Sequence, residues 1–203
     1  FLPFVAEDIR TGPVLQQFKV WKKGAGPLAL AEHYESMTKG LKLTELPDRP
    51  RFIFCATNLV FGNNWESSKD RVGDYVSGYV LPPPSDWTVA KAVAASSCFP
   101  PVFQPMPPGI AAGQYCNAGG GPRQDDLGEW RDSIRLSDGG VYDNLGLEPV
   151  WKSHATVLVS DGGAPMKPEA PWGVARLKRY AGIALNQVGV RILEARTCAL
   201  PQR

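Results

Sequence analysis

Residues 136–144 read Leu-Ser-Asp-Gly-Gly-Val-Tyr-Asp-Asn, and the interpretation of the surrounding chain begins from this stretch. The run 134–137 predicts a short β-strand that leads directly into the turn formed by Asp138, Gly139 and Gly140. Glycines allow the backbone to turn sharply because they carry no Cβ atom. A carboxylate held on such a turn is fixed in direction and can accept a proton from a neighbouring hydroxyl. Asp-Gly-Gly is also a common loop sequence, so by itself it favours Asp138 as a turn-forming residue, with a catalytic base as the alternative.

Strand and helix signals alternate on both sides of this turn. The runs 51–60 (RFIFCATNLV) and 155–160 (ATVLVS) are apolar and rich in β-favouring residues, so both are predicted to be buried strands. The glycine and asparagine residues that recur over 61–80 indicate hairpin-like or irregular structure. Helical composition and spacing predict helices over 28–43, 87–96, 145–152 and 172–196. This alternation predicts an α/β fold of three layers, in which helices flank a mostly parallel sheet and functional groups lie at the carboxyl ends of strands.

The composition is that of a globular domain. The 203 residues are enough for one domain or most of one, and 22 basic against 20 acidic residues give a net charge of +2 without the basic stripe of a nucleic-acid-binding protein. No apolar run reaches the roughly 18 residues of a transmembrane helix. The cysteines and histidines lack metal-ligand spacing, so no metal or other cofactor is expected. These features favour a soluble or peripherally membrane-bound protein, with the cytoplasm as the favoured compartment, and do not indicate an oligomeric state.

Three motifs, in the same order along the chain, resemble the patatin-like phospholipase family. They are ATNLVFG at 56–62, AASSCFPPVF at 94–103 and LSDGGVYDN at 136–144, and the similarity extends over residues 51–150. The resemblance implies that residues 1–203 form part of a patatin-like domain that is incomplete on its N-terminal side. It also implies a lipid acyl hydrolase of the phospholipase or esterase type, which uses a serine–aspartate dyad and needs no cofactor.

The resemblance further implies roles for particular residues. Asp138 would be the aspartate of the dyad, on a turn that Gly139, Gly140 and Asn144 support. The segment 92–122 contains no charged residue and is interpreted either as a buried loop or as an apolar rim for an acyl chain. The side chains expected to line such an acyl site are Phe99, Val102, Phe103 and Met106. The expected partners are a lipid or ester substrate and, through peripheral contact, a membrane surface, but no nucleic acid.

The nucleophile that this family requires is missing from the sequence. Its serine occupies a Gly-x-Ser-x-Gly elbow, and no such motif occurs in the 203 residues. We therefore expect the chain to begin after the elbow and after the loop that supplies oxyanion-binding N–H groups. Ser96 and Ser97 are interpreted as turn or packing residues, and the segment 119–123 (GGGPR) as a surface loop. The alternative function is a catalytically inactive fragment that binds a lipid or a partner protein.

Other candidate residues have less support from their surroundings. Asp161 begins a second Asp-Gly-Gly sequence after the run 155–160, and we interpret it as a structural turn at the end of a strand. His33 and His154 lie outside any recognisable catalytic motif, which disfavours a different α/β hydrolase with a Ser-His-Asp triad. The basic residues in the helix predicted over 172–196 are interpreted as a solvated face, with contact to an anionic membrane as the alternative.

Overall fold

Five strands and five α-helices account for much of the part of the chain that the computed structural model describes, which comprises residues 25–100, 102–116, 127–161, 168, 172–173, 176–177, 179–180 and 182–184. The strands are β1 (Ile53–Asn58), β2 (Asn63–Ser68), β3 (Val72–Asp74), β4 (Gly78–Val80) and β5 (Leu136–Asp138). The helices are α1 (Ala25–Thr38), α2 (Val89–Ser96), α3 (Gly128–Asp132), α4 (Gly140–Asp143) and α5 (Glu148–Trp151). Two 3-10 helices cover Leu43–Glu45 and Ala112–Gln114.

The sheet is antiparallel throughout the described residues, so the prediction of a mostly parallel sheet is wrong. Its strand order is β4-β3-β2-β1-β5. Strands β1 to β4 follow one another through short connections, one of which contains Gly62 with φ 68°. A parallel pair needs a crossover of about a dozen residues or more, so connections this short permit only antiparallel pairing. Strand β5 also runs antiparallel to β1, with Asp138 opposite Ala56, and this arrangement lends no support to a patatin-like fold.

The coarser prediction of a mixed α and β fold is confirmed. Strand β1 falls within the run 51–60, and the hairpin strands β2, β3 and β4 fall within 61–80. Helix α2 begins two residues later than the predicted 87–96, because the side chain of Thr88 caps it by accepting a hydrogen bond from the Lys91 N–H. Helix α5 lies within the predicted 145–152 and begins three residues later.

The run 155–160 does not form the predicted buried strand. It belongs to no strand of the sheet, and the side chain of Leu158 is 95% exposed. The edge of β5 that faces away from β1 is already paired, since Leu136 and Met106 exchange two backbone hydrogen bonds of 2.8 Å. A β-favouring sequence becomes a strand only where an edge is available for pairing, and within the described residues this edge is not available.

The hydrophobic core lies between the sheet and the helical layer formed by α1 and α2. Helix α2 packs against β1 and β5, and α1 packs against α2. At the centre, the fully buried rings of Trp65 and Trp87 stack with their centroids 6.0 Å apart, and Tyr115 meets Trp65 edge-on at 6.3 Å. The opposite face of the sheet contacts α4, where the Tyr142 N–H donates to the Thr57 hydroxyl oxygen at 3.1 Å.

The helix predicted over 172–196 lies only partly within the described residues. Residues 176–177, 179–180 and 182–184 are helical, and Leu177, which was expected on the inward face, is 59% exposed. The remainder of that prediction, including most of its apolar face, lies outside the described residues. No helix in the described part of the chain is both long and apolar enough to cross a membrane.

Candidate functional site

Asp138 is the last residue of β5, and its backbone is held from two sides. Its N–H donates to the Cys98 carbonyl at 3.0 Å, and its own carbonyl accepts from the Thr57 hydroxyl at 2.8 Å. Its half-buried carboxylate accepts a hydrogen bond from the Gly140 N–H at 2.8 Å through Oδ1. Within the described residues no protein group donates to the second carboxylate oxygen, so it can accept a proton or a hydrogen bond from a ligand.

Neither glycine of the turn has a positive φ, and space requires glycine at position 139, whereas a side chain at position 140 would displace the Asn144 and Asp138 side chains. Gly139 has φ −60° and ψ −31°, which any residue can adopt, so its backbone angles do not require glycine. A Cβ atom at Gly139 would lie 2.5 Å from the Cys55 carbonyl oxygen. A Cβ atom at Gly140 would lie 2.6 Å from the Asn144 Oδ1 and 2.9 Å from the Asp138 Oδ1. The glycines thus let the turn approach β1 and let Asn144 and Asp138 face each other across it.

Asp138 lies in a wall shared by two cavities. The first has a volume of about 420 Å³, and its lining besides Asp138 consists of Leu30, Tyr34, Ser97, Phe99, Val102 and Phe103. The second has a volume of about 510 Å³ and is more polar, and its lining includes Asp143, Asn144, Ser96 and both glycines of the turn. A carboxylate in this place can contact one ligand that extends into both cavities.

The structure brings three of the four predicted acyl-lining residues to the same cavity as Asp138. They are Phe99, Val102 and Phe103. Met106 is not among them, because its side chain is fully buried in the core and its backbone pairs with Leu136. The sequence interpretation missed Leu30 and Tyr34, which come from α1 and reach the cavity through the packing of α1 on α2. Their spacing of four residues on one helix face was visible, but nothing in it indicated what that face would cover.

The electrostatic environment of Asp138 favours its protonated form more than water does. Burial raises the pKa of the Asp138 carboxyl group, and the hydrogen bond from the Gly140 N–H opposes that rise without cancelling it. Nearby, burial and the charge of Asp138 raise the pKa of the Cys98 thiol to about 12. Cys98 therefore stays a neutral thiol at physiological pH and does not act as a nucleophile.

The raised pKa of the Asp138 carboxyl group makes the free energy of unfolding depend on pH in a specific way. Below the ordinary pKa of 3.8 the folded and unfolded chains are both protonated at Asp138, so burial of the group carries no ionic penalty there. The free-energy cost of burying the ionised carboxylate develops as the pH rises through the folded-state pKa and is complete above it. We expect Asp138→Asn to unfold at a higher urea concentration than the parent chain at neutral pH, with the difference shrinking as the pH falls toward 3.8. Equal unfolding midpoints at every pH would contradict the assigned environment.

The two serines before Cys98 lie beside the site in positions set by helix α2. The Ser97 hydroxyl donates to the Val93 carbonyl at 2.8 Å, which is an ordinary bond of a helix end, although Ser97 also lines the first cavity. Ser96 lines the second cavity, and its carbonyl accepts from the Gly139 N–H at 3.3 Å. These contacts agree with the interpretation of both serines as turn and packing residues. The segment 119–123 lies outside the described residues.

Asp161 and the histidines lie away from these two cavities. Asp161 is exposed and follows the run 155–160, which forms no strand, so Asp161 does not end a strand as expected, and the glycines after it lie outside the described residues. Neither His33 nor His154 is among the described residues that line either cavity. The His154 ring contacts the Ser153 hydroxyl and the Val150 carbonyl at the exposed end of α5.

Asp143 supports the turn from its far side. Its side chain is 3% exposed, and its carboxylate accepts hydrogen bonds from the N–H groups of Leu145 at 3.3 Å and Glu148 at 2.7 Å. This carboxylate joins the end of α4 to the start of α5, which is a positioning role.

The described residues contain no cluster of three or more histidine, cysteine, aspartate or glutamate side chains that could hold a metal ion. Comparisons of the chain with protein-family models, with curated proteins and with solved structures found no match.

Proposed function

We propose that this chain is part of a lipid acyl hydrolase that uses a serine–aspartate dyad, in which Asp138 is the general base. The observation that carries the proposal is the position of the Asp138 carboxylate, half-buried in the wall between an apolar cavity and a more polar one. An ester has the same division, since its acyl chain is apolar and its alcohol is polar. The patatin-like motifs quoted above point to the same chemistry independently of this geometry.

The reaction would proceed in two halves around Asp138. The carboxylate would accept the proton of a serine hydroxyl while the serine oxygen attacks the ester carbonyl carbon. The C–O bond to the alcohol then breaks, the alcohol leaves with that proton, and the acyl group remains on the serine. In the second half Asp138 would accept a proton from water, whose oxygen attacks the acyl carbon. The bond from that carbon to the serine oxygen then breaks, the proton returns to the serine oxygen, and the fatty acid is released. Backbone N–H groups would stabilise the oxyanion in both halves.

The elevated pKa of Asp138 supports its assignment as a base. A general base works best when its pKa lies near the operating pH, and burial moves the Asp138 carboxyl group in that direction. The hydrogen bond from the Gly140 N–H holds Oδ1 at 2.8 Å and fixes the direction of the carboxylate. The serine itself would come from outside the 203 residues, because no Gly-x-Ser-x-Gly occurs within them.

A second candidate function is a non-catalytic fragment that binds a lipid or a partner protein. The absence of Gly-x-Ser-x-Gly from the sequence favours it, because the apolar cavity could hold a lipid chain without any nucleophile. The two candidates differ in one measurable property, which is the presence of an activated serine in the complete protein.

The experiment is to express the complete translation product that contains these residues and to treat it with acyl esters and with a fluorophosphonate, which phosphonylates activated serines with loss of fluoride. The proposal expects ester hydrolysis and a single labelled serine, both lost when that serine is replaced by alanine. A well-folded product that neither hydrolyses esters nor takes the label would overturn the proposal in favour of the binding fragment.

A further inference from the structure

The Thr57 hydroxyl is buried between β1 and the Asp-Gly-Gly turn. Thr57 is 3% exposed and lies opposite Ser137 in the pairing of β1 with β5. Its hydroxyl donates to the Asp138 carbonyl oxygen at 2.8 Å and accepts from the Tyr142 N–H at 3.1 Å. A hydroxyl group has one proton to donate and two lone pairs with which to accept. This single group therefore connects both ends of the segment 138–142 to β1.

The peptide unit between Asp138 and Gly139 is held at both of its edges. Its carbonyl accepts from the Thr57 hydroxyl on β1, and its N–H donates to the Ser96 carbonyl on α2 at 3.3 Å. A planar peptide unit can change direction only by rotating about the bonds on either side of it. Hydrogen bonds at opposite edges oppose that rotation, so this peptide unit has a fixed direction.

The direction of this peptide unit determines where the following N–H points. The Gly140 N–H belongs to the next peptide unit and donates to the Asp138 Oδ1 at 2.8 Å. Glycine allows more backbone rotation than any other residue, and neither Gly139 nor Gly140 has a side chain whose packing could restrain the turn. If the Thr57 hydroxyl were absent, the turn could rotate and the Gly140 N–H could leave the carboxylate.

We infer that Thr57 is a positioning residue, whose hydroxyl fixes the turn and, through the Gly140 N–H, the direction of the Asp138 carboxylate. Thr57 is not among the described residues that line either cavity, so it acts through Asp138 rather than on a substrate. The inference rests on the proposed function for the role of Asp138 as a base. The hydrogen bonds that position the carboxylate do not depend on that role.

The first measurement follows the NMR signal of the Asp138 carboxyl carbon against pH in the 203-residue chain. The Gly140 N–H bond lowers the pKa of Asp138, so Thr57→Val, which replaces the hydroxyl by a methyl group, is expected to raise the titration midpoint further above 3.8. Thr57→Ser keeps the hydroxyl and should titrate like the parent. Each variant is first checked for cooperative urea unfolding, and Thr57→Ala takes the place of Thr57→Val if the valine variant does not fold.

The matched control is Ser68→Ala, which removes a buried hydroxyl of the same kind elsewhere in the sheet. Ser68 is 1% exposed, lies at the end of β2 that pairs with Ile53, and its hydroxyl donates to the Arg71 carbonyl at 3.3 Å. Its removal should leave the Asp138 titration unchanged, because none of these contacts reaches the turn.

The second measurement is ester hydrolysis by the complete translation product. Thr57→Val is expected to lower kcat by about 10–10²-fold, the cost of a small misplacement of a reacting group. KM should change little, because Thr57 lines neither cavity. Thr57→Ser is expected to keep most of the parental kcat. Packing alone would give the opposite order, since valine preserves the branched shape of threonine and serine does not.

The outcomes separate this inference from the proposed function. A parental Asp138 titration in the folded valine or alanine variant would overturn the inference even if the complete protein hydrolyses esters. A kcat that serine lowers as much as valine does, or that neither substitution changes, would overturn it as well. A shifted titration in a complete protein that hydrolyses no ester would keep Thr57 as the residue that positions the carboxylate and would overturn the hydrolase.

Discussion

Asparagine in place of Asp138 is expected to lower kcat/KM for ester hydrolysis by about 10²–10⁴-fold in the complete translation product, the range that positioned general bases contribute. The amide cannot accept the serine proton, but its oxygen can still accept the Gly140 N–H bond that Oδ1 accepts now. The turn should therefore keep its shape while the base is lost. The measurement is the initial rate of hydrolysis of a soluble medium-chain ester.

The same substitution also separates loss of chemistry from loss of folding. At neutral pH Asp138→Asn is expected to be more stable than the parent, because it removes a buried charge whose folded-state pKa is raised. A variant that is more stable and much less active has lost a functional group rather than its fold. Asp161→Asn is the matched control, since Asp161 precedes the same glycine pair but is exposed. Equal rates for Asp138→Asn and the parent would exclude Asp138 as the base.

The features of the fold that the sequence predicts correctly are those that local signals determine. The apolar run at 51–60 contains β1, and the glycines of 61–80 accompany the hairpins that follow it. The strand before Asp138 is likewise short and local. In each case the residues that make up the element also contain the signal for it, so one sequence is enough to find it.

The incorrect predictions concern which elements become neighbours. The run 155–160 has β-favouring residues, yet its pairing depends on a free sheet edge, and Met106 occupies the edge of β5. Met106 was expected in the acyl site for its apolar side chain alone, and the same backbone pairing places it in the core. The parallel sheet was inferred from alternating elements without the long crossovers that parallel strands need.

The candidate site shows the same limit at the level of single residues. Asp138 and its glycines were found because they are consecutive, although the reason for Gly139 is the close approach of Cys55 rather than an unusual backbone angle. Tyr34 precedes Asp138 by more than a hundred residues and reaches the same cavity only through the packing of α1 on α2. Such a contact is a property of tertiary structure, and no pattern within either segment encodes it.

The buried carboxylate of Asp74 is expected to be the largest single contributor to the stability of the sheet. It is fully buried and accepts four hydrogen bonds: from the Ser77 hydroxyl at 2.6 Å, from the N–H groups of Ser77 and Val76 at 2.7 and 2.8 Å, and from the Asn58 amide at 2.9 Å. It thereby ties the β3–β4 turn to the end of β1.

Asp74→Ala is expected to lower the free energy of unfolding by about 3–5 kcal/mol, because it leaves buried donors without an acceptor. The measurement is the urea midpoint at constant slope. Asp70→Ala is the control, since Asp70 is exposed and forms only a surface ion pair with Arg51 at 3.4 Å, and it should change stability by less than about 1 kcal/mol. The loss should also reach the site, because Asn58 directly follows Thr57, the residue whose hydroxyl donates to the Asp138 carbonyl. Similar midpoints for the two variants would show that the network around Asp74 does not hold the hairpin to β1.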